Sequence, residues 1–465
     1  MGNNTGRTTG RKTARASAKT RNRMTSKTTQ RTRENMTSRV PERRVQASAR
    51  VPERRRVQAS SRVPERRREQ ASARPQDRAR VKTISKRTSG AVKQKDYGRF
   101  FDFSLLFLII FLLCFGLIML YSTSSYEART KFADATFYLR KQLRATLLGG
   151  VAMFLVFLFG YKRLKIYAVP LYCLAICTIP LVKTPLGVSS NGASRWINIG
   201  IGTIQPAEFA KWAVIILMAR VLSKYAHRLR HFSDSVKIFL IAGFPAILVF
   251  WLTKNMSSAI IICFIGIVMM YVAAPKKNAI IQLCICVAAL GMCALLISSI
   301  HGSGGYRTNR IKVWRNPETY SAEGGYQIVQ GLYAIGSGGL FGKGLGQSVQ
   351  KLGFVPEAQN DYIFAIICEE LGLFGGIAVI AMFLFMIWRF MVISNNAPDL
   401  FSALLVVGTM AHIAIQVLMN VAVVTNTMPN TGVTLPFISY GGTSVMFLLA
   451  EMGMVLAVSY GIKNE

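Results

Sequence analysis

The hydrophobic positions divide the chain into two unlike parts. Residues 1–99 carry almost no large apolar side chains, whereas from Phe101 onward long apolar runs alternate with polar connections. A bilayer core of about 30 Å needs roughly 20 apolar residues in a helix. On that measure the pattern predicts spans at 101–121, 144–160, 164–182, 207–226, 235–252, 257–274, 278–299, 361–392, 400–424 and 437–461. The second, fifth and sixth runs are short for a crossing. The expected fold is an all-α polytopic membrane protein of about ten transmembrane helices. No signal peptide is expected, because the first apolar run begins too late for one.

Charge sets the orientation. The connections that share a side with residues 1–99 contain Lys162, Arg163 and Lys165, then Lys224, Arg228, Arg230 and Lys237, then Lys276 and Lys277, then Arg389 and Lys463. Connections 183–206, 300–360 and 425–436 hold Gly, Pro, Asn and aromatic residues in place of basic clusters. Short loops rich in Lys and Arg stay in the cytoplasm. Both termini are therefore expected inside, with a large extracellular loop between helices 7 and 8. That loop, from Ile300 to Asn360, is too long for a plain connector and marks functional sequence.

Composition changes the picture mainly at the N-terminus. The chain has 57 Lys and Arg against 21 Asp and Glu, and residues 1–99 hold 30 of the former and 7 of the latter. Within them Arg39-Val-Pro-Glu-Arg-Arg-Val-Gln-Ala-Ser-Ala49 recurs from Arg50 and again from Arg62. The unit is too short and polar for a solenoid, and the segment lacks core-forming residues, so 1–99 is expected to be a disordered cytoplasmic tail. It either lies on anionic membrane lipids or only enforces orientation. No fold surrounds it that would specify nucleic acid, and no nucleic-acid partner is expected. All eight cysteines fall in apolar runs, which suits packing and not a disulfide framework. The four histidines form no metal motif.

Ionisable residues at membrane depth are costly and mark sites. Arg195 lies in the loop after the third span, and Gln205-Pro206-Ala207-Glu208 opens the fourth. Glu208 and Lys211 share one helix face. They form either an interfacial salt bridge or the charged wall of an outward cavity. Asp361 stands at the outer mouth of the eighth span, just after Pro356-Glu357. It is either the helix N-cap or a general base whose pKa partial desolvation raises. Glu369 and Glu370, roughly 12–14 Å deeper at 1.5 Å per residue, require polar partners inside the protein. The Gly-rich stretch 336–346 reads as a hairpin or re-entrant piece. Residues 429–444, which include Ser439, read as an irregular external segment lining a cavity.

Together these pieces resemble the SEDS family (shape, elongation, division and sporulation), which includes FtsW, RodA and SpoVE. The matching residues are Tyr121 to Ser125, Asn191 to Trp196, Gln205-Pro206 with Glu208 and Lys211, Gly325-Tyr326-Gln327 through Gly346, Pro356-Glu357 with Asp361, Glu369-Glu370, and Pro429 to Ser444. The resemblance covers residues 100 to 460, and Asn191-Gly192 with Asn430-Thr431-Gly432 look most like the division branch. It implies a peptidoglycan glycosyltransferase that polymerises lipid II outside the bacterial cytoplasmic membrane. Asp361 would deprotonate the acceptor hydroxyl, and undecaprenyl pyrophosphate would leave. Arg195 and Lys211 would contact the diphosphate, with Glu208 holding Lys211, and Gln205, Glu357 and Ser439 would complete the substrate site. Expected partners are a class B penicillin-binding protein and other division proteins. No cofactor is specified, although the resemblance leaves room for a divalent cation. Lys254-Asn255-Met256-Ser257-Ser258 stands where many members carry Pro-Asp-x-Gly-Thr, so no role passes to that Asp. A lipid II flippase would use the same body and the same cations without a base. A scaffold that only recruits division proteins would need neither Asp361 nor Arg195.

The charge pattern yields a direct test of sidedness. In a cysteine-free background, a cysteine at Gly304 should react with an impermeant thiol reagent applied to intact cells, and one at Arg230 should not. The reverse pattern would place the long loop in the cytoplasm.

Overall fold

The computed structural model describes residues 100–190, 193–200, 202–300 and 306–462. The basic segment 1–99, Asn191, Gly192 and Gly304 lie outside the described residues. Seven helices come first: α1 (Phe103–Phe132), α2 (Phe137–Phe159), α3 (Tyr161–Thr178), α4 (Pro206–Tyr225), α5 (Phe232–Leu252), α6 (Met256–Ala273) and α7 (Asn278–Ile300). The long loop then forms α8 (Tyr306–Arg315) and α9 (Gly325–Ser337). The chain finishes with α10 (Ile363–Asn395), α11 (Leu400–Val424) and α12 (Thr443–Tyr460). A helix thus stands at each of the ten places where a span was expected. Among the described residues, eight are long and apolar enough to cross a membrane. The other two are α7 and α4, which carries Glu208, Lys211, Arg220 and Lys224. The protein is a multi-pass membrane protein.

Several boundaries differ from the hydropathy reading, each for a physical reason. Helix α1 continues past 121 to Phe132 because Ser122, Thr123 and Ser124 are buried against protein and need not face lipid. Helix α2 begins at Phe137, so the second span is not short; its first turns carry Arg140, Lys141 and Arg144 above the apolar body. The last helix begins at Thr443, and 429–442 stays irregular. The fold is also not wholly helical. Strands β1 (Gly187–Ser190), β2 (Ala193–Asn198) and β3 (Thr203–Ile204) form an antiparallel sheet in the order β1-β2-β3.

Lipid tails are as apolar as leucine, so helices in a bilayer associate through close packing and internal polar bonds. The packed centre is α11, lying against α4, α6 and α10, while α12 runs along α2. Ile215, Ile262, Met269, Leu405 and Met454 are fully buried there or nearly so. At one face the two ends of the bundle are joined: the Phe100 N–H donates to the Ile462 carbonyl at 3.1 Å. On the same face Asp102 caps α1 through the Leu105 N–H at 2.9 Å and accepts from Arg389 Nη2 at 2.7 Å.

Helix α10 is broken at Gly372, whose φ of 70° and ψ of −169° lie outside the helical region. A break at membrane depth strands backbone groups unless other protein groups satisfy them. The Gly-rich segment does this. Lys343 N–H donates to the Glu369 carbonyl (3.0 Å), Gly344 N–H to that of Glu370 (2.9 Å), and Leu373 N–H to that of Gly339 (2.9 Å). A β-carbon on Gly342 would overlap the Glu370 carbonyl, so the approach requires glycine. The Gly-rich segment, expected from the sequence to be a hairpin or a re-entrant piece, is a backbone splint for a broken helix.

The same segment supplies partners for the two deep acids. Glu369 accepts from Lys343 Nζ at 2.7 Å, from Ser348 Oγ, and from the Val349 N–H at 3.2 Å. Glu370 accepts from Ser122 Oγ at 2.7 Å and from Lys351 Nζ at 2.8 Å. Removing one member of a buried ion pair leaves an uncompensated charge, at a cost of about 3–5 kcal/mol. Glu370→Ala should lower unfolding stability in detergent by that amount. Glu370→Leu combined with Lys351→Met should recover most of it, as read from the denaturation midpoint. Equal losses in the single and double variants would mean that the pair is not what matters there.

Candidate active site

Asp361 comes one residue before the N-cap of α10, which is Tyr362, and no side chain caps this helix. The capping explanation for Asp361 therefore fails. Its Oδ1 is out of water and has no hydrogen-bond partner. Among the described residues it is the only carboxylate with a buried oxygen left unpartnered. Burial pushes the Asp361 carboxyl up to about 7. Its own backbone N–H opposes the rise, the nearby Glu357 charge adds to it, and the Arg310 guanidinium pulls the other way.

The main chain around this carboxyl is held firmly. Asn420 Nδ2 donates to the Asp361 carbonyl at 2.8 Å and to the Val433 carbonyl at 2.7 Å. That amide ties Asp361 to the irregular segment 425–442. Gly432 faces Asp361 so closely that a β-carbon there would sit 3.7 Å from Asp361 Oδ2. The segment is laced down from several helices: Trp314 Nε1 donates to the Asn426 carbonyl (3.0 Å), Arg310 Nη1 to the Asn430 carbonyl (2.6 Å), and Ser257 Oγ to the Thr431 carbonyl (2.7 Å). Gln327 on α9 joins both walls, donating to the Pro356 carbonyl at 3.0 Å and accepting from Asn430 Nδ2 at 3.2 Å. Glu357 adopts a left-handed φ of 52°, and its carboxylate accepts from Asn360 Nδ2 at 2.9 Å.

The other residues singled out from the sequence occupy different positions. Lys211 and Glu208 form a buried pair at 2.7 Å, with relative side-chain exposures of 1% and 9%. The salt bridge is thus present near the start of α4, and it is enclosed by protein. Glu208 also accepts from Ser444 Oγ at 3.1 Å, and Lys211 Nζ donates to Gln416 Oε1 at 3.3 Å. Gln205 is the N-cap of α4 but makes no side-chain cap bond. Ser439 is buried, and its Oγ accepts from the Leu435 N–H at 2.8 Å, which makes it a local turn brace. Arg195 lies half-buried on β2. Asn255, in the divergent 254–258 stretch, caps α6 by accepting from the Ser258 N–H at 3.1 Å. Among the described residues no three His, Cys, Asp or Glu side chains converge as a metal site would require.

The sequence reading passed over Arg310, Asn420 and the pair His412 and Glu451, which meet at 2.9 Å. A usable signal existed, since His412, Gln416 and Asn420 recur every fourth residue on an otherwise apolar helix and so share one face.

The model of the FtsW/RodA/SpoVE family, described as cell cycle protein, matches residues 103–464. Stage V sporulation protein E of Bacillus subtilis is 37% identical over 359 residues, which cover 77% of this chain and 96% of that protein. A probable peptidoglycan glycosyltransferase FtsW of Trichlorobacter lovleyi is 35% identical over 367 residues, covering 78% and 94%. Among solved structures, a chain from work on the structural coordination of polymerization and crosslinking by a peptidoglycan synthase complex aligns with a TM-score of 0.64. It is 24% identical and covers 78% of this chain and 99% of its own length. The rod shape determining protein RodA of Thermus thermophilus aligns with a TM-score of 0.55 at 24% identity, covering 77% and 96%. At that identity the structural likeness speaks for the fold.

The Asp361 environment makes a spectroscopic prediction. A carboxyl absorption that titrates near pH 7, protonated below and ionised above, should be present in the full-length protein and missing from Asp361→Asn. Glu357→Gln removes a charge that raises this titration, so the midpoint should move to lower pH. An unmoved midpoint would mean that Glu357 does not act on Asp361.

Proposed function

The chain belongs to the FtsW/RodA/SpoVE family of cell cycle proteins, and from that premise we propose that it is a peptidoglycan glycosyltransferase acting in division or sporulation. It polymerises lipid II at the outer face of the bacterial cytoplasmic membrane. One observation carries the chemistry: the buried, unpartnered Asp361 Oδ1 on a main chain that Asn420 holds still. Lifted to about 7, the carboxyl is poised between accepting and releasing a proton at neutral pH. Oδ1 takes the proton of the acceptor sugar hydroxyl as that oxygen bonds to the anomeric carbon of the donor. The bond from that carbon to the diphosphate oxygen breaks, and the electron pair leaves with the polyprenyl diphosphate.

A class B penicillin-binding protein, the cross-linking enzyme, is the partner this reading implies, in keeping with the synthase complex whose chain shares this fold. Basic segment 1–99 would rest on anionic headgroups at the inner face. Arg195 remains a candidate for substrate contact. Lys211, engaged by Glu208 and Gln416, serves the site by supporting the segment above it through Gln416.

A transport reading draws on the buried polar side chains Glu208, Lys211, Gln416, His412 and Glu451. Asp361 separates the two, because a flippase needs no base at the outer rim. Asp361→Asn should be expressed, inserted and partner-bound at normal levels, yet lose about 10²–10⁴-fold in lipid II polymerisation. Asp361→Glu should retain measurable activity, since only the reach of the carboxylate changes. Polymerisation by Asp361→Asn at the wild-type rate would favour transport.

A further inference from the structure

We propose that Arg310 is the side chain that receives the diphosphate of the lipid-linked donor beside Asp361, an assignment that rests on the glycosyltransferase reading above. Departure of the donor leaves negative charge on a diphosphate oxygen close to the base. A cation beside the base would take up that charge, and Lys211, one of the two candidates the resemblance offered with Arg195, is engaged elsewhere. Its ammonium is buried and engaged by Glu208 at 2.7 Å and Gln416 at 3.3 Å. Releasing it toward a ligand would strand the Glu208 carboxylate in a buried site.

Arg310 meets the requirement on geometry. It sits half-buried on α8, the short helix of the long loop. Its Nη1 is anchored at 2.6 Å to the carbonyl of Asn430, two residues from Gly432, the residue facing Asp361 Oδ2. Its charge is felt at the Asp361 carboxyl. A guanidinium stays ionised at any working pH, and its planar fork matches phosphate oxygens better than an ammonium does. Base and cation then divide the reaction between them. Asp361 takes the proton from the incoming hydroxyl, and Arg310 takes the charge that develops on the outgoing diphosphate. The anchor at Asn430 holds the cation to the same segment that covers the base, so the two stay in register.

The test reads binding apart from turnover. Full-length protein in nanodiscs, in the Asp361→Asn background, is titrated with geranylgeranyl diphosphate, geranylgeranyl monophosphate and geranylgeraniol. Loss of one charge-assisted contact corresponds to about ten- to a hundredfold in affinity. Arg310→Ala should lose that much for the diphosphate, less for the monophosphate and nothing for the alcohol. Arg310→Lys should fall between. Arg310→Gln keeps a donor for the Asn430 carbonyl, so a wild-type melting temperature with weakened diphosphate binding separates recognition from collapse of the segment. Lys312→Ala, which removes an exposed cation from the same helix, should stay within about twofold. Wild-type diphosphate affinity in Arg310→Ala or in stable Arg310→Gln overturns the assignment, as does an equal loss in Lys312→Ala. These are binding outcomes and leave the Asp361 chemistry standing. Wild-type polymerisation by Asp361→Asn would sink that chemistry whatever Arg310 binds.

Discussion

A bilayer core offers no water to a buried charge, and the arrangement of this protein follows from that constraint. Five buried carboxylates on or at the ends of its helices are each provided for. Asp102 faces Arg389, Glu208 faces Lys211, Glu369 faces Lys343, Glu370 faces Lys351, and Glu451 faces His412. Four of these pairs join different segments, and the fifth, within α4, is tied to its neighbours through Ser444 on α12 and Gln416 on α11. Asp361 is the departure from this rule. One of its oxygens is buried and unmatched, the state that the proposed role of general base would use.

Holding a carboxyl in that state is a backbone problem. If the Asp361 main chain moved with its side chain, the carboxylate would find a partner and relax. Asn420 prevents this by binding the Asp361 and Val433 carbonyls with one amide. Arg310, Gln327 and Ser257 then fasten the covering segment from three further helices. None of these bonds ends on the Asp361 carboxylate. The scaffold is fixed and the carboxyl oxygen is left open, which is how a site keeps its geometry without spending its chemistry.

Much of this was legible in the sequence because hydropathy in a membrane protein has few alternative meanings. Apolar runs can only be helices there, and adjacent acids such as Glu369-Glu370 must find partners. Other features escaped for stated reasons. The sheet at 187–204 sits in a connection where the eye seeks only polarity, although Asn191-Gly192 is the dipeptide that most favours a tight hairpin. Helix α1 outran its apolar run because protein, not lipid, covers Ser122 to Ser124. Arg310 was invisible because its meaning lies in Asn430 and Asp361, far away along the chain, and no local pattern announces such a meeting.

The buried chain around Lys211 shows why a loss of function there says little about substrate contact. Gln416 Nε2 donates to the Thr434 carbonyl at 3.1 Å, which turns its Oε1 toward Lys211 Nζ and His412 Nε2. An amide oxygen only accepts, so His412 carries a proton on Nε2. Its Nδ1 meets Glu451 at 2.9 Å, and that contact needs one further proton between imidazole and carboxylate. Two acids, two bases and one amide are therefore locked in a fixed donor order that ends on the backbone of residue 434, in the segment covering Asp361. A change at Lys211 removes one of the two donors on the Gln416 oxygen, leaves His412 Nε2 as the other, and unsettles the amide that holds Thr434 in the segment covering Asp361. Lys211 can be indispensable without touching a ligand.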